Sequence, residues 1–131
     1  MKLIKLNVKT KTQNYPIIIG YNLISKMSQI IKKNSINFKQ CLLIVDAKVP
    51  KKFVSKIKKS LKKEKTFTYI FNASEANKNL IIVNKILQIL FHKNFSRGDC
   101  VISIGGGITG DVSGFISSIF KRGLKFINLP T

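Results

Sequence analysis

The stretch Gly105-Gly106-Gly107-Ile108-Thr109-Gly110-Asp111 follows an apolar run, Cys100-Val101-Ile102-Ser103-Ile104, and precedes a helical pattern from Val112 to Phe120. Strand, glycine turn and helix in that order bring free backbone N–H groups up to an anion at a helix start. Glycine serves there because a Cβ would hold the ligand off and hinder the turn. A glycine cluster alone marks only a tight turn, so its neighbours carry the argument. Asp111 and Gly114-Phe115 follow it, then Lys121-Arg122-Gly123, then a second strand, Leu124 to Leu129, running into Pro130-Thr131.

Upstream, residues 3–9 alternate apolar and polar as a half-buried strand does, and Tyr15 to Gly20 reads as its hairpin partner. Asn22 is placed to cap a helix carrying Leu23, Met27, Ile30 and Ile31. Cys41 to Val45 has no polar alternation, which suits a parallel strand covered on both faces. Val49-Pro50 opens a helix to about Lys63, with Phe53, Val54, Ile57 and Leu61 on one face. Thr66 to Phe71 is a strand by composition. After the polar turn Asn72 to Asn79, the segment from Glu75 to Lys93 is the longest helical candidate and turns Leu80, Val83, Ile86, Leu87 and Leu90 inward. The alternation of buried strands and helices predicts an α/β fold: a Rossmann-like parallel sheet with flanking helices and an N-terminal β-hairpin. Residues 1–131 read as a single domain.

The net charge is +19, from 24 Lys+Arg against 5 Asp+Glu. Such a balance points first to nucleic acid or another anionic surface. Only Arg97 and Arg122 are arginines, however, and Arg makes the bidentate contacts that specific readers favour. The lysines are spread along the chain among Ile and Asn, as composition drift in an AT-rich genome would leave them. No nucleic-acid partner is expected, and a non-enzymatic basic binding module stays as an alternative. No apolar run reaches the roughly 20 residues of a membrane span, and the N-terminus lacks the apolar core of a signal peptide. The expectation is a cytoplasmic protein without a membrane partner. Cys41 and Cys100 fall in apolar strands as small core residues, and His92 alone builds no metal site.

In open parallel sheets ligands sit beyond the carboxyl ends of the strands. Asp46, Glu75 and Asp111 all fall in such loops. Each also has a plain structural reading, as a turn former or as an acid near a helix N-terminus. Jointly, at one crest, they favour a nucleotide site, with Asp46 placed to accept from a ribose hydroxyl pair. Glu75 and Lys78 are one helical turn apart, sharing a face as ligands or as a surface ion pair.

The ordered string Gly-Gly-Gly-Ile-Thr-Gly-Asp-Val-Ser-Gly-Phe (105–115), Lys121-Arg122-Gly123 and Phe126-Ile127-Asn128-Leu129-Pro130-Thr131 closely resembles the 3-dehydroquinate synthases of the shikimate pathway. Polyol and iron-type alcohol dehydrogenases share the glycines and a later Asp, but not Gly114-Phe115 with Arg122-Gly123. The resemblance implies NAD as cofactor, held by Asp46, Glu75, Lys78, Gly106, Gly107, Ile108, Gly110, Asp111 and Thr131, with Arg122 binding substrate phosphate. It implies conversion of 3-deoxy-D-arabino-heptulosonate 7-phosphate, a sugar phosphate, to 3-dehydroquinate with loss of phosphate, in a homodimer when full length. The family's Pro-x-Gly-Glu-x-x-Lys element reads Asn72-Ala73-Ser74-Glu75-Ala76-Asn77-Lys78 here, without its Pro and Gly, and Lys48 stands where an Asn is common. Zinc is expected only with a C-terminal domain that these residues do not include. No catalytic or metal-binding residue is expected within them, and the 131-residue chain is expected to be inactive alone. The alternative within the superfamily is part of an NAD-dependent polyol or alcohol dehydrogenase.

Overall fold

The computed structural model describes residues 2–131. Strands β1 (Ile4–Lys9) and β2 (Asn14–Ile19) form the antiparallel hairpin, pairing Leu6 with Ile17 and Val8 with Tyr15. Strands β3 (Gln40–Asp46), β4 (Lys65–Phe71), β5 (Cys100–Gly105) and β6 (Lys125–Pro130) form one parallel sheet in the order β4-β3-β5-β6. The helices are α1 (Met27–Lys33), α2 (Lys51–Ser60), α3 (Leu80–His92) and α4 (Gly107–Ile119). The four parallel strands expected from their unalternating composition therefore share one sheet.

Two apolar layers explain the absence of alternation. Leu42, Ile44 and Val101 pack with Val83, Ile86 and Leu90 of α3 and Val112 and Ile116 of α4. Cys41, Leu43, Val45, Cys100, Ile102 and Ile104 point the other way, onto Met27 and Ile31 of α1 and Ile57 and Leu61 at α2. Ile44, Ile57, Ile86, Ile102 and Ile116 are fully buried, each removing apolar surface worth about 1.5–3 kcal/mol. Burial pushes the Cys41 thiol up to about 12 and raises Cys100 as well, so both stay protonated core groups.

Three local expectations change. Asn22 has left-handed dihedrals and makes no side-chain cap; a 3-10 turn, Leu23–Lys26, leads into α1 instead. Leu80 is 75% exposed because it is the first residue of α3, preceding the turn that packs. The cap of α3 is Asn79, whose side chain accepts from the Ile82 N–H. The last helix begins at Gly107 rather than Val112, so Asp111 lies in its second turn.

Opposite ends of the sheet are closed differently. At the amino ends of the strands, buried Asp99 accepts from the Ser96 N–H at 2.9 Å, the Gln40 amide at 3.1 Å and the Gln40 N–H at 3.3 Å. Burial raises its carboxyl, but these bonds outweigh burial and hold it below the usual carboxylate range. At the carboxyl ends, Gly105 is wedged between its neighbours. A Cβ built there would stand 2.7 Å from Thr109 Oγ1 and 2.9 Å from Asp46 Cβ.

Two outcomes follow from these closures. Because the folded chain binds the Asp99 proton less readily than the unfolded chain, the contribution is complete above the ordinary Asp range and fades as pH falls through the folded value. Thermal melts between pH 7 and pH 3 should show Asp99→Asn less stable at neutral pH and less sensitive to acid; parallel curves for the two proteins would contradict this. Gly105→Ala should cost about 1–3 kcal/mol in urea titrations through overpacking, whereas Gly107→Ala, whose Cβ meets nothing within 4 Å, should cost none.

Candidate functional site

The chain leaves β3 towards β4 on one side and returns to β5 on the other, so the strand order reverses between β3 and β5. Ligands of open α/β sheets lie above that reversal. Asp46 ends β3 and Gly105 ends β5, which puts the first candidate acid and the glycine run side by side. The crest is knit by backbone bonds on either side. Ala47 N–H donates to Phe71 O at 2.9 Å, joining the β3 and β4 ends. Thr131 N–H donates to Gly105 O at 3.1 Å, joining β6 to β5.

Within the glycine run the three residues do different things. Gly105 is dictated by packing. Gly106 and Gly107 would each carry a Cβ into open space, so nothing in the fold requires glycine at either. Gly106 is the N-cap of α4 and supplies no side-chain acceptor, unlike Asn79 on α3. The first N–H groups of α4 thus lack a side-chain partner and open onto the surface that the bare glycines leave clear. Ile108 is half-buried beside the α3–α4 layer, and Gly110 faces the Asn128 amide of β6, 3.4 Å from where its Cβ would be.

Asp46 is half-buried, and one carboxylate oxygen accepts from the Lys48 N–H at 3.0 Å, fixing the side chain in a tight turn. Lys78 donates to Asp111 at 2.9 Å, tying the approach to α3 to the second turn of α4. That hydrogen bond, with the Asp111 charge, raises the Lys78 ammonium above its usual value, so it stays charged. The sequence reading left Glu75 and Lys78 as ligands or as an ion pair with each other; the structure pairs Lys78 with Asp111, 33 residues away in the chain, and leaves Glu75 exposed. The replaced Gly of the Glu75 loop is no obstacle. Ser74 is extended and its hydroxyl accepts from the Asn77 N–H, capping a 3-10 turn over Glu75–Asn77.

Asp46, Glu75, Lys78, Gly106, Gly107, Ile108, Gly110, Asp111 and Thr131 all lie at or just behind this crest, at the end of β3, after β4 and β6, and in the turn and first helical turns after β5. Glu75 and Lys78 follow β4, on the far side of Asp46 from Thr131. The strand order puts them on the β4 side of the crest, next to Asp46. Arg122 is elsewhere. It follows α4, which runs about 20 Å down from the crest at 1.5 Å per residue. It is exposed at the opposite edge, in a turn where Lys121, Arg122 and Gly123 have φ of 44, 66 and 119°. Arg122 therefore stands at the far end of α4 from the glycine run of its own chain.

Sequence reasoning missed Thr109, whose hydroxyl is buried without a partner, 2.7 Å from where a Cβ on Gly105 would stand. Its position in the glycine run was visible, its orientation was not. Two clefts lie away from the crest. One of about 330 Å³ is bounded by Lys39, Lys65 and the satisfied Asp99; one of about 530 Å³ lies between Tyr21 and Phe53. Among the described residues no cluster of His, Cys, Asp and Glu could hold a metal ion, and no helix is long and apolar enough to cross a membrane.

Residues 68–131 match the family model for the N-terminal part of 3-dehydroquinate synthase. Over all 131 residues the chain is 58% identical to a 3-dehydroquinate synthase of Pelagibacter ubique (strain HTCC1062), covering 36% of that protein. It is 36% identical to the 3-dehydroquinate synthase of Blochmanniella floridana, over 97% of this chain and 35% of the relative. The chain thus spans about a third of the length of these relatives. Among solved structures, 2-deoxy-scyllo-inosose synthase complexed with carbaglucose-6-phosphate, NAD+ and Co2+ superposes with TM-score 0.87 at 22% identity, over 98% of this chain and 35% of that one. An iron-containing alcohol dehydrogenase reaches only 0.65, over 82% of this chain and 33% of its own, at 20% identity. Those two likenesses concern the fold; the sequence matches make the chain similar to the N-terminal region of 3-dehydroquinate synthases.

Proposed function

We propose that the chain is the NAD-binding part of a 3-dehydroquinate synthase, and that the cofactor lies across the crest between β3 and β5. The observation that carries this is the pair Gly106 and Gly107, two glycines that the fold does not need, at an α4 start without a side-chain cap, beside Asp46. A pyrophosphate fits there: the space a Cβ would take is free, and N–H groups with the positive end of the helix dipole face it. On this reading Asp46 accepts from the adenosine ribose, with Glu75 and Lys78 on the same side. Gly106, Gly107 and Ile108 face the pyrophosphate, with Gly110 and Asp111 behind them. Thr131 lies on the nicotinamide side. NAD bound so would supply a hydride acceptor, and the residues of this chain bind and orient it.

The whole enzyme would convert 3-deoxy-D-arabino-heptulosonate 7-phosphate to 3-dehydroquinate and phosphate. The residues described here hold no metal cluster, so the family's zinc does not fit within them and would need ligands from outside the chain. Arg122 enters this reading only as a ligand for a phosphate held away from its own crest. The alcohol dehydrogenase alternative loses ground to the 58% identity with a 3-dehydroquinate synthase.

Titration calorimetry at about 0.15 M salt, where exposed charges are screened, tests the cofactor site. Gly107→Val should weaken NAD binding about tenfold or more by filling the pyrophosphate space, with stability unchanged because that space is empty. Lys59→Gln, far down α2, should change affinity by less than about twofold. Equal losses in the two variants would reduce the binding to unspecific charge attraction. In a separate assay the 131-residue chain should release no phosphate from the heptulosonate phosphate above a no-enzyme control, since a metal able to polarise the hydroxyls has no ligand set here. Measurable release would overturn that assignment.

A further inference from the structure

The β1–β2 hairpin is a sheet of its own and joins no strand of the parallel sheet. Its register sets Ile4 opposite Ile19, Leu6 opposite Ile17 and Val8 opposite Tyr15. Side chains alternate along a strand, so these six share one face. All but Val8 are about half exposed. Lys5 and Lys9, the only lysines of the two strands, belong to the opposite face. A two-stranded hairpin is marginal in water unless something packs on it. The described residues leave its apolar face open. Exposed Tyr21 continues the apolar surface at the base of β2, next to the cleft it shares with Phe53.

We propose that a second copy of the chain covers this face, the two hairpins stacking apolar side to apolar side about a two-fold axis. The hairpin carries none of the crest residues, so the proposal stands apart from the cofactor reading. Charge decides between occupants. On a chain of net charge +19 an acidic partner is drawn to the lysines, and this face has none to hold it. A second copy is repelled by those same lysines and can approach best where a surface lacks them. Stacking the apolar faces turns Lys5 and Lys9 of both copies outward, whereas pairing edge to edge along β1 would draw them together. Area sets the strength. A standard interface takes roughly 800 Å² from each partner, and five half-exposed side chains supply about half of that. The pairing is therefore reversible, with a Kd of about 10–100 µM.

Sedimentation equilibrium of the 131-residue chain between about 5 and 500 µM, at about 0.15 and 0.5 M salt, tests this. The mass should rise from monomer towards dimer with concentration, and further at the higher salt, where the lysines are screened. Leu6→Thr with Ile17→Thr keeps residues suited to strands and should weaken association about tenfold or more, each change counting twice at a two-fold contact. Phe91→Gln, which removes an exposed ring from α3, should leave association unchanged. Amide NMR shifts of the wild type on dilution, which need no variant to fold, should be confined to residues 4–21. A monomer at every concentration overturns the proposal and leaves the face to another segment or another protein. Equal weakening in Phe91→Gln and the hairpin variant, or dilution shifts outside residues 4–21, takes the contact off the hairpin and overturns it as well.

Discussion

The contact on which the crest depends is the wedge of Gly105 between Asp46 and Thr109. Three elements meet at it: the end of β3, the end of β5 and the first turn of α4. Their backbones approach so closely that even a methyl group would stand 2.7–2.9 Å from both neighbours. That closeness sets Asp46 beside the start of α4, and a hydrogen bond from Thr131 to the Gly105 carbonyl draws the β6 end to the same point. A larger residue at 105 would part the acid from the helix start. Packing at one glycine thus sets the geometry of the crest, while a Cβ on either of the other two would meet nothing within 4 Å.

Charge has little to do with holding the domain together. With 24 cations and 5 acids, ion pairing can neutralise only a minority of the lysines. The stability comes from two apolar layers on one sheet, and the excess charge works against it by self-repulsion. The few acids are therefore informative. Asp99 is consumed by hydrogen bonds at the foot of the sheet, while Asp46, Glu75 and Asp111 stand at its crest.

What the sequence disclosed follows from the range of the interactions. Strands β3 and β5 were legible because burial on both faces leaves no alternation; the hairpin was legible from its alternation, but the half-buried face it implies is not covered here, since Ile4, Leu6, Ile17 and Ile19 stay 41–50% exposed. The start of α4 was not, since glycine and threonine are weak helix formers and the tertiary position of the loop overrode them. Leu80 misled for a related reason: periodicity assigns a face but not how far towards the helix end packing extends. The loops holding Asp46, the glycines and Thr131 could be placed from strand order alone. The partnership of Lys78 with Asp111 could not, because it joins loops after β4 and β5 across the end of β3. The distance of Arg122 from the glycine run was not legible either, because a motif records order along the chain and not which end of the sheet each part occupies.

The Lys78–Asp111 pair also resolves a tension in the site. An acid near the start of a helix is favoured by the dipole, yet an acid there repels an approaching phosphate. Asp111 lies in the second turn of α4, behind the bare N–H groups of Gly107 and Ile108. Lys78, held at 2.9 Å, offsets part of the acid's field towards the glycines. The pair is exposed enough, at 42 and 65%, to add little to stability. Its effect is local: it lets α4 keep an acid near its start while the crest stays attractive to an anion, and it anchors the β4 loop against the helix that the anion would face.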